Sequence, residues 1–341
     1  MKSLVIFNNK GGVGKTTLLC NIAAYLKLKL NKRILVIDAD PQCNATLYMF
    51  SEQYIEDFYT TKKYSTIFDI VQHLRKGKGY MPKENIPIYT STGFGVDIII
   101  GDPRFAVLED FFSGDWLTGK SGDERGLLTT FIFRDLAYKL SADYDYIIYD
   151  VGPSLGAINR NVLIGCDYFV IPMSSDIFSQ KAVENIAESL TEWEKYLRRG
   201  LDDFRDNEGR SYCLNDINVD FCIQFLGYVN QQYTAKKKEG VARPVKAYDA
   251  IIRKFNSVIT MKLSAFYPKP IDTDILLLGE IPTLHSLVPL SQAAHKPIFQ
   301  LSTVDGVVGA HFKKVADFGT IIGDITNKIL SNIDCYDQLA N

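Results

Sequence analysis

No run of apolar residues in this chain approaches the ~20 needed to span a bilayer. The opening run, Ser3–Phe7, is too short for a secretory leader and leads straight into a glycine-rich loop, so a cytoplasmic protein is expected. Paired cysteines are missing too. The six cysteines, at 20, 43, 166, 213, 222 and 335, include no C-x-x-C. That disfavours a zinc ribbon, a cluster site and the paired thiols of an electron-transfer or metallochaperone protein; thiols of a reducing compartment are expected instead. Histidine is scarce: His73, His285, His295 and His311 are scattered, with no carboxylate or cysteine at metal spacing, and read as structural or surface residues. No Ser/His/Asp set has the context of a nucleophile elbow. An excess of one charge is absent as well, the net being −2, so any nucleic-acid surface has to be local. There is no internal repeat and no low-complexity tract.

What is present is a globular composition, 46% hydrophobic and 23% charged, in which short β-rich runs alternate with helical stretches. This alternation predicts an α/β fold: a mostly parallel twisted sheet with helices on both faces. The expected strands are Ser3–Asn8, Arg33–Asp38, Val96–Ile100, Tyr146–Asp150, Tyr168–Pro172, Phe221–Val229 and Ile275–Ile281. The first helix, about Gly14–Leu30, carries Leu18, Ile22, Leu26 and Leu30 on one face, and a last helix is expected over about Val307–Ile333. Three stretches interrupt the pattern as insertions in one domain covering 1–341: about 51–92, 113–126 and 195–218, the second reading as a loop and the third as charged and exposed.

Residues 8–17, NNKGGVGKTT, lie between the first strand and the first helix, the setting that a phosphate-binding loop requires. Gly11, Gly12 and Gly14 let the backbone turn its N–H groups toward a phosphate, and the helix N-terminus adds its positive end. Lys15 can reach β/γ-phosphate oxygens and the Thr16 hydroxyl can ligate Mg²⁺, with Val13 and Thr17 completing the loop. Lys10 is surplus to a single nucleotide. Either it faces solvent or it serves a second phosphate group. The stretch KGGVGKTT resembles the deviant Walker A motif of the ParA/MinD family of P-loop ATPases. That resemblance implies ATP and Mg²⁺ as ligands and a homodimer that sandwiches two ATP molecules. It makes Lys10 a cation acting on the partner's phosphates.

After the second strand, VIDADPQCNAT puts Asp38 and Asp40 at the carboxyl edge of the sheet, where α/β proteins bind ligands. By residue type alone, either could instead cap the following helix. The stretch resembles the ParA-type DPQGNAT, with Cys43 in place of glycine, which implies Asp40 as the water-positioning residue and Asp38 as a helper near the metal. The run YDYIIYDVGPS ends a strand at Asp150, the pattern of a Walker B carboxylate that binds Mg²⁺ through water. It is similar to the family's D-x-P-P-S, with Gly152 where the first proline stands.

Segments 96–109, 167–188 and 281–299 resemble ParA segments in the same order. By the same resemblance Asn230, at the end of FLGYVN, sits where the family often recognises adenine, and Pro282 lies at the other side of that pocket. An asparagine that merely ends a strand is the alternative. Residues 236–254, KKKEGVARPVKAYDAIIRK, hold seven Lys/Arg against two Asp/Glu. Pro244 suits the first turn of a helix whose outer face would carry Arg243, Lys246 and Arg253, able to touch DNA phosphates without reading sequence. The ParA resemblance implies non-specific DNA binding by the ATP dimer, nucleoid association and release by hydrolysis stimulated by an adaptor or centromere-binding protein. The expected role is DNA or plasmid segregation, or cargo positioning. Two other outcomes fit the same loop: a ParA-like switch gating a partner protein in another bacterial or phage system, and a MinD-like membrane switch. The last needs a basic amphipathic tail, and this tail is acidic.

Overall fold

A computed structural model describes residues 1–61, 64–174, 176–233, 236–238, 241–243, 256–284 and 286–340. Valine, isoleucine and leucine dominate the central strands because these are covered on both faces and have no solvent side to alternate toward. They are β1 (Lys2–Ile6), β2 (Ile34–Asp38), β5 (Tyr146–Asp150) and β6 (Tyr168–Ser174). With β3 (Tyr89–Ser91), β4 (Val96–Ile99), β9 (Gln224–Tyr233) and β12 (Leu277–Pro282) they form one sheet in the order β12-β9-β6-β1-β5-β2-β4-β3. Every neighbouring pair is parallel except β3 with β4. The expected α/β class therefore holds.

Chain direction decides which helix covers which face. From β1 the chain moves toward β2 and from β5 it moves the other way toward β6, so right-handed crossovers put the two connecting helices on opposite faces. One is α1 (Lys15–Leu28) and the other α8 (Ala157–Gly165). The last helix, His311–Ala340, packs beside α1 and buries Val315, Phe318, Ile322, Ile325, Ile329, Ile333 and Tyr336, an i, i+3, i+4, i+7 stripe.

The interruptions are more ordered than their composition suggests. Residues 51–92 include α3 (Glu52–Thr61), α4 (Ile67–Arg75) and β3. The expected loop at 113–126 is helical instead: α5 (Glu109–Gly119) and α6 (Glu124–Thr130) occupy most of it. The 195–218 stretch continues α9 (Ile177–Glu208) and ends in a hairpin of β7 (Cys213–Leu214) and β8 (Ile217–Asn218). Two of the glycines that suggested a loop, Gly119 and Gly126, are contact points between helices. A Cβ on Gly126 would collide with the backbone of Gly119 and Asp115, one on Gly119 would lie 2.9 Å from the Gly126 carbonyl carbon, and one on Gly200 would collide with the Gly119 carbonyl. Ahead of the helix expected from Pro244, which lies outside the described residues, Lys236–Lys238 (β10) and Val241–Arg243 (β11) pair antiparallel. Arg243 is thus a strand residue, and Lys246 and Arg253 lie outside the described residues.

Because backbone atoms obstruct the site, Gly126→Ala should destabilise the fold by about 3 kcal/mol. Gly114, exposed within α5 with nothing near its missing Cβ, should gain about 0.5–1 kcal/mol on Gly114→Ala. Paired denaturant melts measure both. Equal effects at the two sites would refute the close crossing of α5 and α6.

Candidate nucleotide site

The loop after β1 is held before it turns. Asn8 donates from Nδ2 to the Pro172 carbonyl at 2.7 Å and accepts the Lys10 N–H on Oδ1 at 2.9 Å. Gly12 and Gly14 both have φ of 71°, a left-handed conformation that costs a Cβ-bearing residue about 1–2 kcal/mol. Gly14 is doubly required, because the Gln231 amide packs where its side chain would project. The helix α1 then begins at Lys15 without a side-chain cap, which leaves its N-terminus suited to an anion.

The strand register sets the carboxylates. Asp38 and Asp150 are paired neighbours at the ends of β2 and β5, both fully buried. Thr16 donates its hydroxyl to Asp150 Oδ2 at 2.8 Å, while Asp150 Oδ1 is buried with no hydrogen-bond partner. A hydroxyl beside an unsatisfied carboxylate oxygen fits a hydrated divalent cation, so the expected Mg²⁺ ligands Thr16 and Asp150 are together. Among the described residues no cluster of three His, Cys, Asp or Glu is arranged to hold a metal by itself, so a cation here needs ligands from the phosphates or water. Asp38 faces the turn as well. Its Oδ2 accepts the Thr46 N–H at 2.8 Å and the Thr46 hydroxyl at 2.6 Å, so it braces α2 (Asn44–Met49). Asp40 accepts the Gln42 N–H and the Asn44 side-chain amide, each at 3.0 Å. Both aspartates therefore fix the turn between β2 and α2. Gly152 lies against Asp40, a Cβ there falling 3.2 Å from Oδ1, and Cys43 holds a left-handed φ of 53° where the related motif has glycine.

Burial governs the charges. Desolvation raises Asp150 well above the ordinary carboxylate range, and nearby Asp38 adds to it. Desolvation, opposed by the Thr46 hydrogen bonds, pushes Asp38 up to about 7. Lys15, also buried, is lowered by desolvation against the pull of Asp150 and Asp40. Lys10 points elsewhere: its ammonium is paired with Asp176, the N-cap of α9. Burial works upward on Asp176, but Lys10 and the N–H groups of Ser179 and Phe178 hold it below the ordinary value.

Beside the loop lies a cavity of about 450 Å³ lined by Gly12, Gly14, Thr17, Gln231 and Pro282, with Leu18, Leu284, Val288 and Phe318 supplying apolar wall. Its size suits a nucleoside. Asn230 is not on this wall; it is fully buried, and neither atom of its amide has a partner. Its neighbour Gln231 is the amide that reaches the loop. Sequence reasoning missed Gln231, Asp176 and Asn8, whose roles depend on contacts across the fold, and Asn44, whose bond to Asp40 is local. Of the histidines, His73, His295 and His311 make single hydrogen bonds to Gly79, Tyr48 and Ser286, and His285 lies outside the described residues.

Residues 1–202 match a family model described as an AAA domain. The chain is 29% identical over 189 residues to a virulence plasmid ParA family protein of Chlamydia psittaci, covering 55% of this chain and 62% of that one. It is 27% identical over 260 residues to the sporulation initiation inhibitor protein Soj of Bacillus subtilis, covering 73% and 87%. A crystal structure of a Corynebacterium diphtheriae protein superposes with a TM-score of 0.71 at 30% identity, covering 86% of this chain and 97% of the other.

The raised Asp38 has a consequence for stability. Between the ordinary value of 3.8 and about 7, the folded protein keeps a proton that the unfolded chain releases. The contribution of Asp38 to stability is therefore full below pH 3.8 and is lost as pH rises through about 7. In nucleotide-free protein, wild type should lose stability relative to Asp38→Asn as pH rises through this window. A wild type that gains on the variant with rising pH would refute the assignment.

Proposed function

Since the chain belongs to the ParA/MinD family of deviant Walker A P-loop ATPases, we propose that it hydrolyses ATP with Mg²⁺ and that its ATP-bound dimer is a DNA-binding switch for segregating DNA or positioning cargo. The observation that carries the reading is the meeting of Lys15, the Thr16 hydroxyl and the unpartnered Asp150 oxygen at an uncapped helix N-terminus. Lys15 lies within the loop to neutralise β/γ-phosphate charge. Thr16 and Asp150 would hold Mg²⁺ and its waters. When bound, the cation offsets the charge that develops on the transferred phosphoryl group. Asp40 orients the attacking water, and the Asn44 amide and the Gln42 N–H fix its carboxylate for that task. The nucleoside belongs in the adjacent cavity against Pro282, with Gln231 on its wall and the spare donor and acceptor of Asn230 one residue back along β9.

Lys10 carries the dimer part of the reading. A lysine that serves the bound nucleotide from its own chain would be expected beside Lys15, but here Asp176 holds it away. In the proposed sandwich it leaves Asp176 for the partner's phosphates. DNA binding rests on the hairpin β10–β11, where four of six residues are Lys or Arg in a chain of net charge −2. The last helix spends its apolar stripe on the core, which weighs against the membrane switch. Release by a stimulating adaptor or centromere-binding protein completes the cycle. A partner-gating role has one observation in its favour: the 51–92 segment presents Tyr54 and Tyr64, 40% and 50% exposed, stacked on Phe58.

Lys15→Ala should abolish Mg-ATP binding in calorimetry. Asp40→Ala should bind Mg-ATP and dimerise but hydrolyse about 10²-fold more slowly. Lys10→Ala should bind Mg-ATP and remain monomeric on sizing columns; normal ATP-dependent dimerisation of this variant would remove the trans role.

The ATP-bound dimer should also bind random duplex DNA, with Arg243, Lys246 and Arg253 replaced by glutamate weakening all sequences alike. The log K against log salt slope should flatten by about 0.9 for each phosphate no longer neutralised. An unchanged slope would place the DNA surface elsewhere, and no binding by the wild type at low salt would favour the partner-gating role.

A further inference from the structure

A buried chain of hydrogen bonds joins three separate parts of the nucleotide site. Asn21, in the second turn of α1, donates from Nδ2 to the Thr17 carbonyl at 2.8 Å and to the Tyr48 hydroxyl at 3.4 Å. The hydroxyls of Tyr48 and Ser291 lie 2.5 Å apart, and Ser291 donates to the Lys296 carbonyl. Asn21, Tyr48 and Ser291 are all buried, at 0%, 4% and 0% exposure.

The direction of the chain is fixed by its ends. The Ile298 N–H donates to Asn21 Oδ1 at 2.9 Å, so Nδ2 must be the atom facing Tyr48, and it can only donate. The Lys296 carbonyl can only accept. Each hydroxyl between them therefore accepts once and donates once, with Tyr48 donating to Ser291. Nothing in the chain is left unsatisfied, and such a polarised series is stiffer than separate bonds.

The three elements it ties do different work. Thr17 closes the phosphate loop. Ser291 belongs to the helix Leu287–Ala294, whose Val288 forms part of the cavity wall. Tyr48 sits on α2, only six residues long, whose N-terminal turn is the one that Asp38 and Asp40 brace. The far end of α2 is pinned at the same residue, since the Tyr48 carbonyl accepts from His295 Nδ1 at 3.2 Å, just past the end of the wall helix. A shift of the wall helix is thus passed to α2 through both groups of one residue. Asn44, bonded to Asp40, lies a single turn away.

We propose that Tyr48 is a positioning residue that couples filling of the cavity by a nucleoside to placement of the Asp40 carboxylate. The proposal rests on the ATPase reading above. It concerns a residue that belongs neither to the loop nor to the cavity lining, so its signature is a loss of turnover without a matching loss of affinity.

The test is a double-mutant cycle with Mg-ATP on the full chain, using Tyr48→Phe, which keeps the ring against Phe94, and Ser291→Ala, which cuts the same chain from the wall side. Each should lower kcat about three- to tenfold, the worth of one hydrogen bond, with the Mg-ATP Kd within about twofold of wild type. The double variant should be no slower than the slower single one, since either change already breaks the link. Unchanged kcat in either single variant, a Kd that weakens in step with kcat, or multiplying effects in the double would each overturn the relay. Should Tyr48→Phe fail to fold, full kcat in Ser291→Ala alone would do the same. A wild type that neither binds nor hydrolyses Mg-ATP would remove the ATPase reading itself, a result distinct from wild-type turnover that the variants leave intact.

Discussion

Parallel pairing of β1, β2 and β5 in register brings Asp38, Asp150 and the start of the phosphate loop to one buried edge, and the surrounding cleft is organised around the charge concentrated there. Ionised carboxylates away from water are costly unless something compensates them. Thr16 compensates one oxygen of Asp150, and Thr46 compensates one oxygen of Asp38 twice over. The oxygen of Asp150 without a partner is the exception, and in a cleft that also holds Lys15 it is the atom that a cation would satisfy.

The turn after β2 shows how the same groups serve structure and chemistry together. Asp38 and Asp40 fix α2 through Thr46, Gln42 and Asn44. Reading them as helix braces or as site carboxylates is therefore not a choice between alternatives: the bracing is what gives Asp40 a defined orientation. Cys43 adds strain at the same turn, a left-handed residue with a Cβ, and Gly152 leaves room for the Asp40 carboxylate where a proline ring would crowd it. Local strain and local space thus meet at the residue proposed to orient water.

Lys10 and Asp176 show the same economy on the outer side of the loop. Asp176 caps α9 and holds Lys10, so the start of a 32-residue helix and the orientation of the surplus lysine depend on one carboxylate. Phe178, the second residue of that helix, is 72% exposed. A lysine held by a half-exposed ion pair can exchange partners at little cost, because such pairs contribute only about 0–1 kcal/mol. The geometry is that of a charge that is stored rather than buried.

The sequence alone determined the glycine-rich turn between β1 and α1, the place of Asp150 at the end of β5, the α/β class and the ends of most central strands. These features are set locally: glycines at left-handed positions, a lysine and threonine at a helix start, and apolar runs that need cover on both faces. It could also raise the question of Lys10, because an extra cation in a loop is visible without a fold. Tertiary structure decided the rest. The glycines of 113–126 read as a loop because composition cannot distinguish a glycine that frees the backbone from one that lets two helices touch, as Gly119 and Gly126 do. Asn230 was read as an amide at a strand end, but β9 runs on to Tyr233 and its alternating faces put the neighbouring Gln231 on the cavity wall. Asp176 and the Asn21–Tyr48–Ser291 chain were invisible for the same reason: their partners lie up to 277 residues away, and only the packing of one element against another brings a donor to its acceptor.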